Sequence, residues 1–199
     1  MQENESRRSN KARSDATRGA LLAAARELFI ARGYADVGTP ELVAEAGVTR
    51  GALYHHFADK RALFAAVVEA EAAAVAAEID AATPAGMEPL EALISGGRTY
   101  LEAMQAPGRT RLLLLEAPAV LGQAVNTAID ERHANRTLRE GLIAAIEAGV
   151  IGALPLNALT QILSAAFDRA AVAVAAGEAR ADVDAVMVAV IEGLAGSRD

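Results

Sequence analysis

The chain has 199 residues, 53% of them hydrophobic and only 4% aromatic, with a formal net charge of −7, so it is long enough for one or two domains built on Ala, Leu, Val and Ile. It has no cysteine, which excludes disulfides, cysteine-ligated metal and thiol chemistry. Residues 1–14 are polar with no apolar signal core, and the uncharged run Ala148 to Phe167 is broken by Pro155, Asn157, Thr160 and Gln161, so a soluble, cytoplasmic protein that does not enter a membrane is expected.

The elements follow in chain order. Residues 1–14 read as a flexible basic tail in which Arg7, Arg8, Lys11 and Arg13 could trail along phosphates or enter a minor groove. Over residues 15–61 a compact unit of three helices is expected. Leu21, Leu22, Ala25, Leu28 and Phe29 recur at helical spacing, with Gly33 as the stop. Thr39 suits an N-cap and Pro40 the first helical position, because proline lacks only a donor that the helix start leaves unused. Leu42, Val43 and Ala46 form the inner side of this second helix, and Gly47 ends it in the left-handed conformation. Thr49 caps a third helix. At about 100° per residue, Leu53 and Phe57 share one face while Gly51, Ala52, Tyr54 and His55 share the other. Helix, tight turn and helix make a helix-turn-helix, and double-stranded DNA is the partner it points to.

That outward face has what a groove-reading helix needs. Gly51 and Ala52 carry almost no side chain, so the backbone can approach base edges. Arg50 can reach a guanine with two donors, while Tyr54, His55 and Lys60 suit phosphate oxygens, and His56 points toward the packing edge. The acidic balance does not oppose this: residues 1–61 hold ten basic and eight acidic side chains, and the remainder nine and eighteen. A zinc reading of the paired histidines fails, because neighbours on a helix diverge by about 100° and His133 is the one other histidine.

The segment GALYHHF with Lys60 just beyond it, preceded by AEAGV and ARGY, resembles the TetR family of bacterial transcriptional regulators, over about Thr17 to Phe64. The chain departs from the family's Thr-rich run before the second helix, where it has Val37, Gly38, Thr39 and Pro40. The resemblance implies DNA contacts from Arg50, Gly51, Ala52, Tyr54 and His55, with Thr39 and Lys60 on flanking phosphates; Thr49 and His56 complete the candidate set.

Residues 62–199 read as a helical bundle, which makes the whole chain all-α. Asp59 caps a long fourth helix through Leu63, Phe64, Val67, Val75 and Ile79 that ends before Pro84 and joins the two parts without a flexible linker. Further helices are expected over about 88–105, 109–117 and 123–148. Asn157 and Asp182 then cap two last helices, rich in Ala and Val. Their apolar faces exceed what a lone bundle would hide, and the resemblance implies that they pair with their copies in a homodimer whose two heads suit a palindromic operator. It also implies a cavity for a small-molecule effector. Polar residues on apolar faces are the candidates for its wall: Arg98, Tyr100, Glu116, Asn126, Asp130, His133, Gln161, Asp168 and Arg169. With few rings available, an apolar or weakly polar molecule is expected.

The expected function is therefore a repressor that leaves its operator when an effector binds, needing no cofactor, metal or catalysis. A DNA-organising protein with the same head but no effector is the alternative. A helical-bundle enzyme is less favoured, since no carboxylate pair, metal cluster or activated nucleophile stands out.

Overall fold

A computed structural model describes residues 2–196, with side chains from residue 11 onward. Ten α-helices and one π-helical segment are present among the described residues: α1 Gln2–Arg32, α2 Thr39–Glu45, α3 Arg50–His56, α4 Lys60–Ala82, α5 Pro89–Ala103, the π-helical segment Arg111–Glu116, α6 Ala117–Leu121, α7 Gln123–Arg132, α8 Ala134–Glu147, α9 Leu156–Ala175 and α10 Arg180–Gly196. The expected all-α architecture holds, with a three-helix head, α1 to α3, joined to a helical body.

Two hydrophobic clusters account for the division. In the head, Leu21, Ala25 and Phe29 of α1 meet Leu42 of α2, Leu53 of α3 and Leu63 and Phe64 of α4, all buried. Phe29, Tyr34 and Phe64 pack as a trio, with Phe29 and Phe64 edge-on at 5.2 Å. In the body, Val75 and Ile79 of α4 continue into a second cluster with Leu101, Leu142, Phe167 and Ile191. Because α4 supplies both clusters, its two ends cannot move independently. Truncating any of these Leu side chains to Ala would cost about 2–5 kcal/mol.

The turn between α2 and α3 follows the expected chemistry. Gly47 adopts φ +64°; its N–H donates to Ala44 O while the Val48 N–H reaches back to Val43 O, closing a Schellman motif. The Thr49 Oγ1 then accepts from Ala52 N at 3.1 Å and Asp59 Oδ1 from Ala62 N at 2.7 Å, so both expected caps are made.

Other boundaries differ. α1 extends back to Gln2, so the backbone of the stretch expected as a flexible tail is helical; the side chains of Arg7 and Arg8 lie outside the described residues. Gly38, not Thr39, is the N-cap of α2: Glu41 Oε2 accepts the Gly38 N–H at 3.0 Å, and Thr39 becomes the first helical residue with its hydroxyl released from capping. The helix expected over 123–148 breaks at His133, whose backbone is at φ −124° and ψ −105°. The helix expected over 109–117 is a π-helical turn followed by α6. α9 starts at Leu156 and α10 at Arg180, so Asn157 and Asp182 sit inside first turns; the Asn157 Oδ1 instead accepts from Arg139.

Candidate nucleic-acid interface and buried cavity

α3 projects one polar, sparsely covered face. Leu53 is fully buried and Phe57 nearly so, which fixes the opposite side of the helix outward. On that outward side Arg50, Gly51, Tyr54 and His55 are exposed, with Thr49 beside them and Ala52 and His56 half-buried. A Cβ placed on Gly51 would meet only Thr49 Oγ1, at 3.8 Å. Nothing inside the protein therefore requires glycine there. The Arg50 guanidinium lies 5.5 Å from the Tyr54 ring centroid, and Arg50 first, then the freed Thr39 hydroxyl, hold the Tyr54 phenol below the usual tyrosine range. Arg50, Tyr54 and Thr39 thus form one surface group from two helices. The His55 and His56 rings pack edge-on at 5.2 Å.

Lys60, expected to face phosphate, turns inward. Its Nζ donates to Tyr34 O and Val37 O, both at 2.9 Å, and sits 4.0 Å from the Tyr34 ring centroid. With three donors on an ammonium, one remains. The reason is local: the loop after α1 leaves carbonyls pointing at the start of α4, and the lysine satisfies them.

A polar clasp binds the head to the body. Arg111 Nη2 donates to Phe29 O at 2.9 Å and to Ile30 O, carbonyls in the last turn of α1. Glu116 Oε2 accepts the Tyr34 N–H at 2.9 Å, and its Oε1 pairs with Arg111 Nε at 3.2 Å. Arg61 at the start of α4 donates to Val120 O and Leu121 O at the end of α6. Deeper in, buried Glu71 accepts from Arg26 of α1 at 2.6 Å and from Arg109 at 3.0 Å, and Arg109 also reaches Glu78. Burial pushes the Glu71 carboxyl up, but the two guanidiniums outweigh it and leave the group below its ordinary value.

Within the body lies a cavity of about 250 Å3 walled by α4, α5, the π-helical segment and α7 to α9. Its apolar wall includes Val75, Ile79, Leu93, Leu113, Leu114 and Phe167. A Cβ on Gly97 would sit 2.6 Å from Phe167 Cζ, so the missing side chain is what admits that ring. Tyr100 packs edge-on to Phe167 at 6.0 Å and donates its hydroxyl to Asp168 Oδ1 at 2.5 Å. Asp130 stands near Asp168 and is met by the Asn126 Nδ2 at 3.4 Å.

Of the wall candidates, Tyr100, Asp130 and Asp168 line this cavity, and Asn126 stands directly behind Asp130. The others lie elsewhere. Arg98 pairs with Asp184 of α10 at 3.0 Å on the surface, Glu116 belongs to the clasp, His133 Nε2 lies 2.6 Å from Glu69 Oε1, and Gln161 and Arg169 are exposed on α9. Sequence reasoning missed Ser164, Asn135 and Thr137 on the wall, and the clasp residues Arg61, Arg109 and Arg111. Only an arginine set in an apolar run, as Arg111 precedes four leucines, could have signalled the clasp. No group of His, Asp and Glu placed to hold a metal ion occurs among the described residues.

Comparison with known proteins covers both parts. The family model "Bacterial regulatory proteins, tetR family" matches residues 21–67, and "Tetracyclin repressor-like, C-terminal domain" matches residues 90–197. A TetR-family transcriptional regulator of Pectobacterium atrosepticum superposes with a TM-score of 0.74 at 35% identity, covering 94% of this chain and 98% of that one. The head is similar to those of the HTH-type transcriptional activator FasR of Mycolicibacterium smegmatis, 44% identical over 63 residues, and the HTH-type transcriptional repressor BepR of Brucella suis, 43% over 61. These matches span 32% and 31% of this chain and 29% of the length of each curated relative.

Proposed function

This chain belongs to the tetR family of bacterial regulatory proteins, and we propose that it is a cytoplasmic transcriptional repressor, not an enzyme, that holds a palindromic operator as a homodimer and leaves it when a small molecule fills the cavity. The observation that carries this reading is the π-helical segment. Leu113 and Leu114 form part of the cavity wall, while Arg111 and Glu116, on the same segment, grip the end of α1. A ligand pressing on the first pair acts on the second, and so on the head. The ligand need only prefer one of two head positions, and the shift equals that difference in affinity.

On the DNA side, α3 enters the major groove with Gly51 and Ala52 against the base edges. Arg50 reads a guanine, Tyr54, His55 and Thr39 take phosphates, and Thr49 and His56 border the contact. Lys60 contributes its remaining donor to a phosphate while its other two hold the α1 loop. FasR is named an activator and BepR a repressor; repression is favoured here because a head clasped to a ligand-sensitive segment is lost from DNA more simply than it recruits a polymerase.

The test is to select genomic fragments retained by the purified full-length protein, then to measure the affinity of Gly51→Leu for the recovered site. The space beyond Gly51 is open, so the variant should melt at or above the wild-type temperature while binding falls about 100-fold or more, as base edges are blocked. Unchanged binding by Gly51→Leu, or failure to enrich any duplex at low salt, overturns the reading.

A further inference from the structure

The cavity's charge is as informative as its shape. Four acidic residues face it: Asp80 of α4, Asp130 of α7, Glu140 of α8 and Asp168 of α9. Asp80 and Glu140 at the rim share Arg136, each at 2.8 Å. Asp130 and Asp168 share no such partner: among the described residues neither forms a salt bridge, and no Lys, Arg or His lines the wall. Asp168 accepts the Tyr100 hydroxyl and Asp130 a long contact from Asn126, and no further side-chain partner of either carboxylate occurs among the described residues.

We infer that the cavity takes an organic cation, an apolar body bearing one ammonium group that docks between Asp130 and Asp168 beneath the rings of Tyr100 and Phe167. The assignment rests on reading the cavity as the effector site. Each class of occupant meets a different balance there. A carboxylate or phosphate would bring a third negative charge to a wall with no cation to receive it. A wholly apolar molecule would strip water from two carboxylates and give nothing back. An ammonium supplies the missing counter-charge, and its donors match the open carboxylate oxygens. Both rings line the same cavity, within which an ammonium over a ring face gains further attraction. Burial and the neighbouring Asp168 charge raise Asp130 to about 7, which agrees with a site that lacks its positive partner until the ligand arrives.

The test uses one carbon skeleton with three head groups, phenylbutylamine, phenylbutanol and phenylbutanoate, titrated calorimetrically into the full-length protein at about pH 8, above the value of about 7 to which Asp130 is raised. The amine should bind at least about tenfold more tightly than the alcohol, and the carboxylate more weakly still. Asp130→Asn and Asp168→Asn, which keep shape and the acceptor for Tyr100, should each lower amine affinity about tenfold or more and leave the alcohol within about twofold. Equal or tighter binding of the alcohol or carboxylate, no amine binding at about millimolar concentration, or amine binding indifferent to both variants overturns the inference. The arms stay separable from the regulator reading: a protein that binds its operator but prefers the alcohol loses only the cation, whereas one that binds the amine but no duplex loses only the repressor.

Discussion

A carboxyl group facing another carboxyl inside a protein keeps its proton longer than one in water, and Asp130 is in that position. Burial first, then the charge of Asp168, raise it to about 7, against about 3.9 in an unfolded chain. The folded state therefore binds the extra proton, and the stability this brings is full in acid and lost as pH rises through about 7. Glu71 works in the opposite direction, because its guanidiniums lower it and its contribution disappears only in acid. Thermal melts of the ligand-free protein between about pH 6 and pH 8 should show a falling midpoint, of the order of 4 °C for about 1.4 kcal/mol, and Asp130→Asn should remove most of that slope. A wild-type midpoint flat over this interval would mean that Asp130 is already ionised and paired.

At the scale of elements, periodicity made the helices legible and tertiary contacts decided what periodicity could not. The α2–α3 turn and the start of α4 were readable because Gly47, Thr49 and Asp59 act on their own neighbours within a few residues. The break at His133 has no glycine or proline to announce it, and depends on Glu69 of α4 receiving the ring at 2.6 Å across 64 positions of sequence. The π-helical turn is likewise invisible in RLLLLE, since Arg111 and Glu116 hold it against the end of α1. Tyr100 and Asp168 were legible singly, as polar residues on apolar faces, but their pairing joins helices 68 positions apart. The two inward hydrogen bonds of Lys60 were hidden for the same reason, their acceptors lying in a loop more than 20 positions earlier. If the clasp carries the effector signal, Glu116→Ala should leave operator affinity within about threefold and cavity binding unchanged, yet reduce ligand-induced release by roughly 1–2 kcal/mol of coupling. Fluorescence anisotropy of a labelled operator, titrated with a releasing ligand, measures it; a release curve matching wild type would show that the signal travels elsewhere.

For the whole molecule, charge and apolar surface are distributed in complementary ways. The first 61 residues carry a small positive excess and the remainder eighteen acidic side chains against nine basic, so a duplex is repelled by the body and attracted to the head end. Meanwhile α9 and α10 leave large apolar side chains in the open: Ile162 is 67% exposed, Val186 62% and Val190 43%. α9 is even long and apolar enough to cross a membrane by composition alone, but Asp168, hydrogen-bonded to Tyr100, and Arg169 lie within it, and a charge at bilayer depth is costly. On the proposed function, a second copy of the chain would hide this face and also double the head, as a palindromic operator requires. Ile162→Glu with Val186→Glu would place four carboxylates in such an interface. Sedimentation should then show a folded monomer whose operator affinity is at least about 100-fold weaker, because each half-site is held by one head without its linked neighbour. Wild-type protein that sediments as a monomer, or a double variant that still dimerises, would move the interface off these two helices, and with it the spacing between the heads.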